Sequence, residues 1–368
     1  MRRSATLFGI ILLVLSATAP ALGVAGAQPA AQDSLECSFP LTVTDASGHE
    51  VTIGEEPQKI VTLGASAAQT MWEIGAKEKV TGISMFATYL EGADSREVVL
   101  SGRPATVDTE RVVEMNPDLV FASNIIQNDT VSQIRDAGIN VYRFSMATDI
   151  ETIYEKTKLM GRLSGECEGA EQTVDAMRQR VNTVESAVSG EDKPRVFYGT
   201  GAGFTAGPNT FIGQVIAKAG GHNIAAEANA SRPYFKMSAE FIAEQDPEYV
   251  VVGVPPSQLG NESRSYIPQD SVVRNTTAWE EGNIVVVNRN YLSQPAPRIV
   301  QPMTELASAF HPEAYAAANT TSTTEPTTTP PAATTDAASD GGTNTGTPGF
   351  GIATALVAVL GAALVARR

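Results

Sequence analysis

The sequence predicts an α/β fold of two similar lobes with parallel central sheets, joined by a long connecting helix and separated by a crevice. The first observation is a repeat, since residues 110–122 (ERVVEMNPDLVFA) and 240–252 (EFIAEQDPEYVVV) follow one pattern. The second is that each copy reads as a short amphipathic helix, ended before Pro117 or Pro247, and then an apolar run. Proline disfavours helical geometry in the residue before it, and strands that are apolar on both faces are typical of parallel sheets. Two matched lobes leave a crevice, and crevices are common ligand sites.

The first lobe is predicted to span residues 35–148. Its first strand is the apolar run at residues 60–63, which stands between a proline and a glycine, and a helix that ends near Gly75 follows. The first copy of the repeat then supplies a second helix and the buried strand at residues 119–121. The alternation of strands and helices in this order favours a parallel sheet.

The connector, residues 149–192, is predicted to be helical, because it is rich in helix-forming residues and contains no proline. It is interrupted around Gly165, so it forms either one long helix or two abutting helices. The second lobe, residues 193–316, begins as the first does, with a proline, a short apolar strand and a glycine. A helix that ends near Gly220 comes next.

The two ends of the chain carry features of an exported, anchored protein. Residues 1–27 have the charged, apolar and small-residue regions of a secretory signal peptide. Residues 317–347 are almost entirely small and polar, and we expect a disordered stalk because this composition buries too little apolar surface to fold. Residues 348–368 resemble the PGF-type sorting signal of haloarchaeal surface proteins, which implies cleavage and attachment of a lipid; an uncut transmembrane helix is the alternative. Both interpretations anchor the protein by its C-terminus on the extracellular face of the cell membrane.

The charge balance restricts the choice of partner. The chain has 41 acidic and 26 basic residues and a net charge of −15. Nucleic acid is an unsuitable partner for such an acidic surface, because its phosphates would be repelled. Abundant acidic residues are instead typical of a secreted protein whose surface stays hydrated in strong brine. N-x-S/T sequons, which suit a glycosylated surface protein, occur at Asn128, Asn229, Asn261, Asn275 and Asn319.

The two cysteines, Cys37 and Cys167, are expected to form a disulfide in an oxidising compartment, with two free thiols as the alternative. The three histidines, His49, His222 and His311, are scattered along the chain. Transporters of bare zinc or manganese use several histidines and a carboxylate together, so we expect no directly bound metal and no resident cofactor.

Motifs of both lobes carry a family resemblance. The first lobe contains Pro57-x-x-Ile60-Val61-x-Leu63, Ile74-Gly75-Ala76 with Val80-x-Gly82, Glu110 ahead of Asn116-Pro117-Asp118-Leu119-Val120, and Gly138-Ile139-x-Val141. The second contains Phe204-Thr205-x-Gly207, Ala219-Gly220-Gly221-x-Asn223, Ser238-x-Glu240 and Ala296-Pro297-Arg298. In this order they resemble the helical-backbone substrate-binding proteins of ABC importers for cobalamin and ferric siderophores. The resemblance implies capture of a small-molecule metal chelate, either a ferric siderophore or a corrinoid, and its delivery to a permease dimer with its ATPase. A haem importer component is the neighbouring alternative.

The resemblance also implies a set of ligand-binding residues in loops at the carboxyl ends of the strands. The candidates are Ser66, Phe86, Tyr89, Arg103, Asn124, Phe204, Tyr234 and Tyr291. Aromatic side chains provide stiff apolar walls, and Arg103 could pair with an anionic group of the ligand. Core packing for the aromatics and a solvated position for Arg103 remain the structural alternatives. Asn290 and Gln294 stand where cobalamin binders carry charged residues, which leaves the chelate open.

Glu110 and Glu240 occupy the same place in the two copies of the repeat, at the start of a short helix. A carboxylate is favoured there by the helix dipole, so helix capping would account for both. The resemblance implies instead that each glutamate docks on an arginine of one permease subunit, so that a pseudo-symmetric protein meets a symmetric partner.

Two other functions would account for parts of the sequence. A surface serine hydrolase would use Ser66, which follows a strand and a glycine as a nucleophile does, but Ala68 replaces the second glycine of that motif. A cell-surface adhesin or structural protein would share the stalk and the anchor, but would have no need of two lobes with aromatic loops. We therefore expect a binding protein that performs no chemistry.

Overall fold

The computed structural model describes residues 35–199 and 203–322, with side chains through residue 318. The predicted signal peptide, most of the predicted stalk and the sorting segment lie outside the described residues. Within the described ranges, every helix is too short or too polar to cross a membrane.

The first lobe is built on a six-stranded sheet. Its elements are β1 (Leu41–Thr44), β2 (Glu50–Ile53), β3 (Ile60–Leu63), α1 (Ala65–Glu73), β4 (Val80–Ser84), β5 (Glu97–Ser101), β6 (Thr106–Val107), α2 (Thr109–Met115), β7 (Leu119–Ala122), α3 (Asn128–Asp136) and β8 (Val141–Arg143). The strand order is β6-β5-β4-β3-β7-β8, parallel except for β6, and β1 and β2 form a separate hairpin. The predicted parallel sheet is confirmed.

The central strands β3 and β7 are buried on both faces. Every residue of both strands is buried, as the unbroken apolarity predicted. Ile60 and Phe121 belong to the core beneath α1, while Val61 and Val120 belong to the core beneath α2 and α3. Alternate residues of a strand point to opposite faces, so one short strand serves both cores.

The connector consists of α4 (Ile150–Ser164) and α5 (Cys167–Ala187), separated at Gly165, which has a left-handed φ of 83°. This break lies where the sequence predicted it. Gly161 lets the two helices approach closely, because a Cβ there would stand 2.4 Å from the Cβ of Ala170. Each helix contributes side chains to the cores of both lobes: for α4 and α5 these include Ile153, Met160, Ala170 and Val184.

The second lobe is built on a four-stranded parallel sheet. Its elements are β9 (Arg195–Tyr198), β10 (Phe204–Ala206), α6 (Phe211–Lys218), β11 (His222–Asn223), β12 (Tyr234–Lys236), α7 (Ala239–Gln245), β13 (Tyr249–Val254), α8 (Thr277–Glu281), β14 (Ile284–Asn288), α9 (Arg289–Leu292), α10 (Val300–Phe310) and α11 (Pro312–Ser322). The order is β11-β9-β13-β14, and β10 and β12 form a two-stranded antiparallel ribbon.

The repeat folds into the same unit in both lobes. Helices α2 and α7 end at left-handed residues, Asn116 with φ 45° and Asp246 with φ 40°, each followed by proline. Asparagine and aspartate tolerate this conformation better than most residues. A parallel strand starts two residues after the proline in each copy, β7 in the first and β13 in the second. The predicted helix-to-strand unit is therefore confirmed.

The predicted stalk begins too early. Helix α11 continues to Ser322, although the sequence placed the start of the disordered stalk at residue 317. The run of alanines at residues 316–318 favours helix, and buried Tyr315 fixes the first turns of α11 to the second-lobe core. Composition alone does not register this anchoring.

Cys37 and Cys167 form the predicted disulfide. The bond links the N-terminal segment to the first residue of α5 across a sequence separation of 130 residues. On the chain-entropy model, closing a loop of that length stabilises the folded state by about 5 kcal/mol.

Candidate functional site

The carboxyl ends of the strands carry most of the exposed large apolar side chains. Each of the following residues lies in a segment that leaves the carboxyl end of a parallel strand: Met85, Phe86, Ile125, Met146, Phe204 and Leu259. Their exposures run from 36% for Met85 to 73% for Ile125. Contiguous exposed apolar groups mark binding surfaces rather than ordinary protein surface. Four of these residues belong to the first lobe and two to the second.

The loops that carry Phe86 and Arg103 touch each other. The backbone N–H of Gly102 donates a hydrogen bond to the Met85 sulfur over 3.3 Å. Gly102 has a φ of 90°, a conformation that favours glycine. Phe86 is 38% exposed and Arg103 is exposed, so the structure brings these two predicted residues to one rim of the first lobe.

Asn124 is exposed in the loop after β7, and Arg143 supports that loop from below. The Arg143 guanidinium donates to the backbone carbonyls of Asn124 (3.0 Å) and Ile126 (3.1 Å), and also to the side chain of Asn128. These contacts hold the loop so that Asn124 and Ile125 face outwards.

Tyr89 and Tyr291 meet where the two lobes join. Their ring centroids are 6.3 Å apart in an edge-to-face arrangement, and the guanidinium of Arg298 lies 5.5 Å from the Tyr291 ring centroid. Both tyrosines are half-buried. They form one aromatic contact between the first and the second lobe.

Gln69 of α1 organises that junction. Its Nε2 donates to the Tyr89 hydroxyl over 2.6 Å, and its Oε1 accepts from the backbone N–H of Arg298 over 3.0 Å. One turn further along α1, Glu73 accepts from Arg298 Nε over 2.7 Å. Gln69 is fully buried, so these bonds replace the water contacts that its amide loses.

Ser66 lies at the start of α1 and is only 7% exposed. Its Oγ accepts a hydrogen bond from the Lys156 ammonium over 2.9 Å, and the same ammonium donates to the carbonyl of Pro295 over 3.1 Å. Burial lowers the pKa of Lys156 to about 7. A serine beside a lysine resembles a nucleophile and its base, but the serine is buried and the lysine also bonds a second-lobe carbonyl. The structure therefore places Ser66 in the junction between the lobes.

Phe204 and Tyr234 share one face of the β10–β12 ribbon. Ala206 pairs with Tyr234 and Phe204 pairs with Lys236, so the two aromatic residues are diagonal neighbours. Phe204 is 48% exposed, whereas Tyr234 is half-buried against the second-lobe core. Burial raises the pKa of Tyr234 to about 12. Tyr234 thus takes part in core packing as well as in the ribbon surface.

Glu110 and Glu240 are exposed and do not cap their helices. The side chain of Asp108 accepts from the backbone N–H of Arg111 over 3.0 Å, and that of Ser238 accepts from Phe241 over 3.2 Å. Asp108 and Ser238 therefore make the side-chain caps, while Glu110 and Glu240 lie in the first turns, where the helix dipole still favours a carboxylate. Neither glutamate forms an ion pair with any side chain that the structure describes.

A cavity of about 430 Å³ lies within the second lobe, between α7 and the segment Ile267–Val273. None of the eight predicted ligand residues lines this cavity. It is separate from the residues that meet at the lobe junction.

The three histidines lie in separate parts of the fold. His311 is buried against the carbonyl of Gly220, and His222 lies 3.3 Å from Glu227 at the start of β11. His49 belongs to the turn between β1 and β2. The part of the chain that the structure describes contains no cluster of three metal-ligating side chains.

Sequence reasoning missed Gln69, Lys156 and Arg143. Each stands inside a regular element with no motif around it, so its role depends on packing between distant segments. A weak signal existed for Gln69 alone, because Ser66, Gln69 and Glu73 follow helical spacing as a polar stripe on a largely apolar helix.

Known proteins are similar to this chain in sequence and in fold. Residues 60–291 match the family described as periplasmic binding protein, and residues 347–368 match the PGF-CTERM motif. A cobalamin-binding protein of Halobacterium salinarum is 50% identical over 371 residues, covering 100% of this chain and 99% of the relative. A vitamin B12-binding protein of Yersinia pestis is 26% identical over 66% of this chain and 82% of the relative.

Solved structures of the same fold include the vitamin B12-binding protein BtuF of Vibrio cholerae, with a TM-score of 0.58 and 19% identity over 72% of this chain and 98% of that one. The heme-binding protein RhuT of Roseiflexus has a TM-score of 0.61 and 23% identity over 71% of this chain and 100% of that one. The chain therefore belongs to the periplasmic binding protein family, as a non-enzymatic substrate-binding protein of an ABC importer that is anchored through a C-terminal PGF-CTERM motif.

Proposed function

We propose that the protein captures a corrinoid in the crevice between its lobes and delivers it to a permease dimer with its ATPase. The observation that carries this proposal is the set of exposed apolar side chains at the strand ends of both lobes. A corrin ring is a broad and largely apolar disc, and stiff apolar side chains bind such a surface at little entropic cost. The choice of a corrinoid over a ferric siderophore follows the relatives named for cobalamin and vitamin B12.

The tyrosines suit a ligand that brings its metal already coordinated. Burial raises the pKa of Tyr89, and it raises that of Tyr234 to about 12, so both remain neutral phenols near pH 7. A neutral phenol offers an apolar face and a hydrogen-bond donor, whereas a phenolate ligand for ferric iron would first have to lose a proton that burial holds more tightly. A corrinoid needs only the former, since its cobalt is held by the ring.

Delivery would use Glu110 and Glu240. Both are exposed on short helices and related by the repeat, neither makes the side-chain cap of its helix, and each is available to an arginine of one permease subunit. Docking would place the C-terminally anchored protein on the extracellular face of the cell membrane, beside its permease.

Isothermal titration of the purified protein tests the ligand assignment. We expect one cobalamin to bind per protein, and we expect haem and a ferric hydroxamate chelate to bind at least tenfold more weakly. Tight binding of the ferric chelate without binding of any corrinoid would overturn the assignment while leaving the family unchanged.

A further inference from the structure

Lys156 lies at the place where all three parts of the fold meet. It belongs to α4 of the connector, its ammonium bonds Ser66 of the first lobe and Pro295 of the second, and the Phe144 ring centroid is 5.4 Å away. The residue as a whole is half-buried, and burial lowers the pKa of its ammonium. Lys156 therefore joins the connector to both lobes.

The hydrogen bonds of the ammonium are incomplete. A lysine ammonium has three donors. Two of them point to the Ser66 hydroxyl and the Pro295 carbonyl, and no further acceptor occurs among the described residues. An ammonium with a donor to spare can bond an acceptor that enters between the lobes.

Lys156 also lacks a compensating charge. None of its contacts is a carboxylate, and burial alone accounts for its low pKa, with no charged side chain of the described residues contributing. At the same junction burial raises the pKa of the Tyr89 phenol, and the cation Arg298 is already paired with Glu73. A buried cation without a partner is costly, and an incoming anion would relieve that cost.

We propose that Lys156 contacts the ligand, donating a charge-assisted hydrogen bond to an anionic oxygen at the edge of the bound corrinoid. The inference rests on the proposed function, for which it names a specificity-determining residue. The anionic oxygen has two chemical sources, the phosphodiester of a complete corrinoid or a carboxylate of an incompletely amidated one.

The contact makes affinity depend on pH in a defined direction. The empty site binds a proton with a pKa of about 7, and a neighbouring anion raises that pKa. The bond is therefore fully available below pH 7 and is lost as pH rises through the pKa of the complex. Between pH 6 and pH 9 we expect the affinity of the wild-type protein to fall about tenfold or more.

The test compares the wild-type protein with Lys156→Met, Lys156→Arg and the control Lys158→Met on the same helix. Each is titrated at pH 6 and pH 9, at one salt concentration, with cobalamin, cobinamide (which lacks the phosphodiester) and cobyric acid (which has a carboxylate instead). We expect Lys156→Met to bind at least tenfold more weakly at pH 6 and to show no pH dependence. Lys156→Arg stays charged and should bind equally at both pH values, while Lys158→Met should match the wild type.

The ligands distinguish the two sources. A pH effect for cobalamin that is absent for cobinamide assigns the phosphodiester, and an effect confined to cobyric acid assigns the carboxylate. Thermal melting of Lys156→Met, expected at or above the wild-type temperature because a buried cation is removed, excludes misfolding. The inference is overturned if the wild type binds corrinoids with the same affinity at both pH values, or if Lys156→Met keeps the wild-type pH dependence. Failure of the wild type to bind any corrinoid would overturn the proposed function itself.

Discussion

Asp118 and Glu248 perform the same task in the two lobes. The Asp118 carboxylate accepts backbone hydrogen bonds from Gln58 and Lys59, both over 2.8 Å, at the entry to β3. The Glu248 carboxylate accepts one from Arg195 over 2.9 Å at the entry to β9. Asp118 directly precedes β7 and holds the start of β3, the strand that pairs with β7. Glu248 directly precedes β13 and holds the start of β9, the strand that pairs with β13.

The first prediction concerns this pair. We expect Asp118→Ala to lower the free energy of unfolding by about 2 kcal/mol and Glu248→Ala by about 1 kcal/mol, because Asp118 holds two backbone donors and Glu248 one. Urea denaturation measures both. The control Glu50→Ala, on the exposed face of β2, should change stability little. A larger loss at Glu248 than at Asp118 would contradict the explanation.

The second prediction tests the apolar crevice wall. Phe204→Ala should weaken corrinoid binding by about 1–3 kcal/mol with little change in stability, since the side chain is 48% exposed. Tyr234→Ala is a less clean test, because Tyr234 also packs on the core. Val113, which is equally apolar but lies on α2, supplies the control as Val113→Ala. Unchanged affinity of the Phe204 variant would remove the ribbon from the ligand site.

The third prediction tests docking. Reversing both charges, with Glu110→Lys and Glu240→Lys, should stop uptake of labelled corrinoid by cells while the affinity of the purified protein stays near that of the wild type. Reversal of Glu50 and Glu313 changes the net charge equally at exposed positions elsewhere and should leave uptake intact. Normal transport by the Glu110 and Glu240 double variant would rule out their docking role.

The fourth prediction concerns acid stability. The Asp45 side chain is buried beside Arg135. Burial alone would raise its pKa, but hydrogen bonds from Ser47, His49 and Arg135 outweigh burial and hold the pKa below the ordinary value of 3.8. The contribution of Asp45 to stability is therefore present above pH 3.8 and is lost as pH falls towards the lower pKa of the folded state.

Asp45→Asn removes that charge. We expect the variant to be less stable by about 3 kcal/mol at pH 7, because the Arg135 cation loses its partner, and to show a flatter loss of stability below pH 4. Denaturation curves at pH 7, 4 and 3 provide the check. A parallel acid dependence in wild type and variant would show that other carboxylates control the acid transition.

The repeat made much of the fold predictable. Apolar runs such as Leu119–Ala122 predict buried strands, and Pro117 and Pro247 predict where the preceding helices end. The two cysteines left few alternatives once an oxidising compartment was inferred. These features depend on local pattern or on counting, which a single sequence supplies.

The site was less predictable, because its contacts join residues far apart in the chain. Gln69 reaches Arg298, and Lys156 reaches both Ser66 and Pro295. No local pattern encodes such distances. The sequence predicts Ser66 in a loop at the end of a strand, whereas the structure places it in the first turn of α1, where contacts with α4 and the second lobe bury it. Whether it touches the ligand stays a prediction.

The packing of the connector helices α4 and α5 determines how the protein unfolds. Because α4 and α5 each complete the cores of both lobes, neither lobe retains an intact interior once the other is lost. The two lobes should therefore unfold together, in one cooperative transition. A truncation that keeps only one of them would leave half of each connector helix facing water, and would favour aggregation over a stable half-protein.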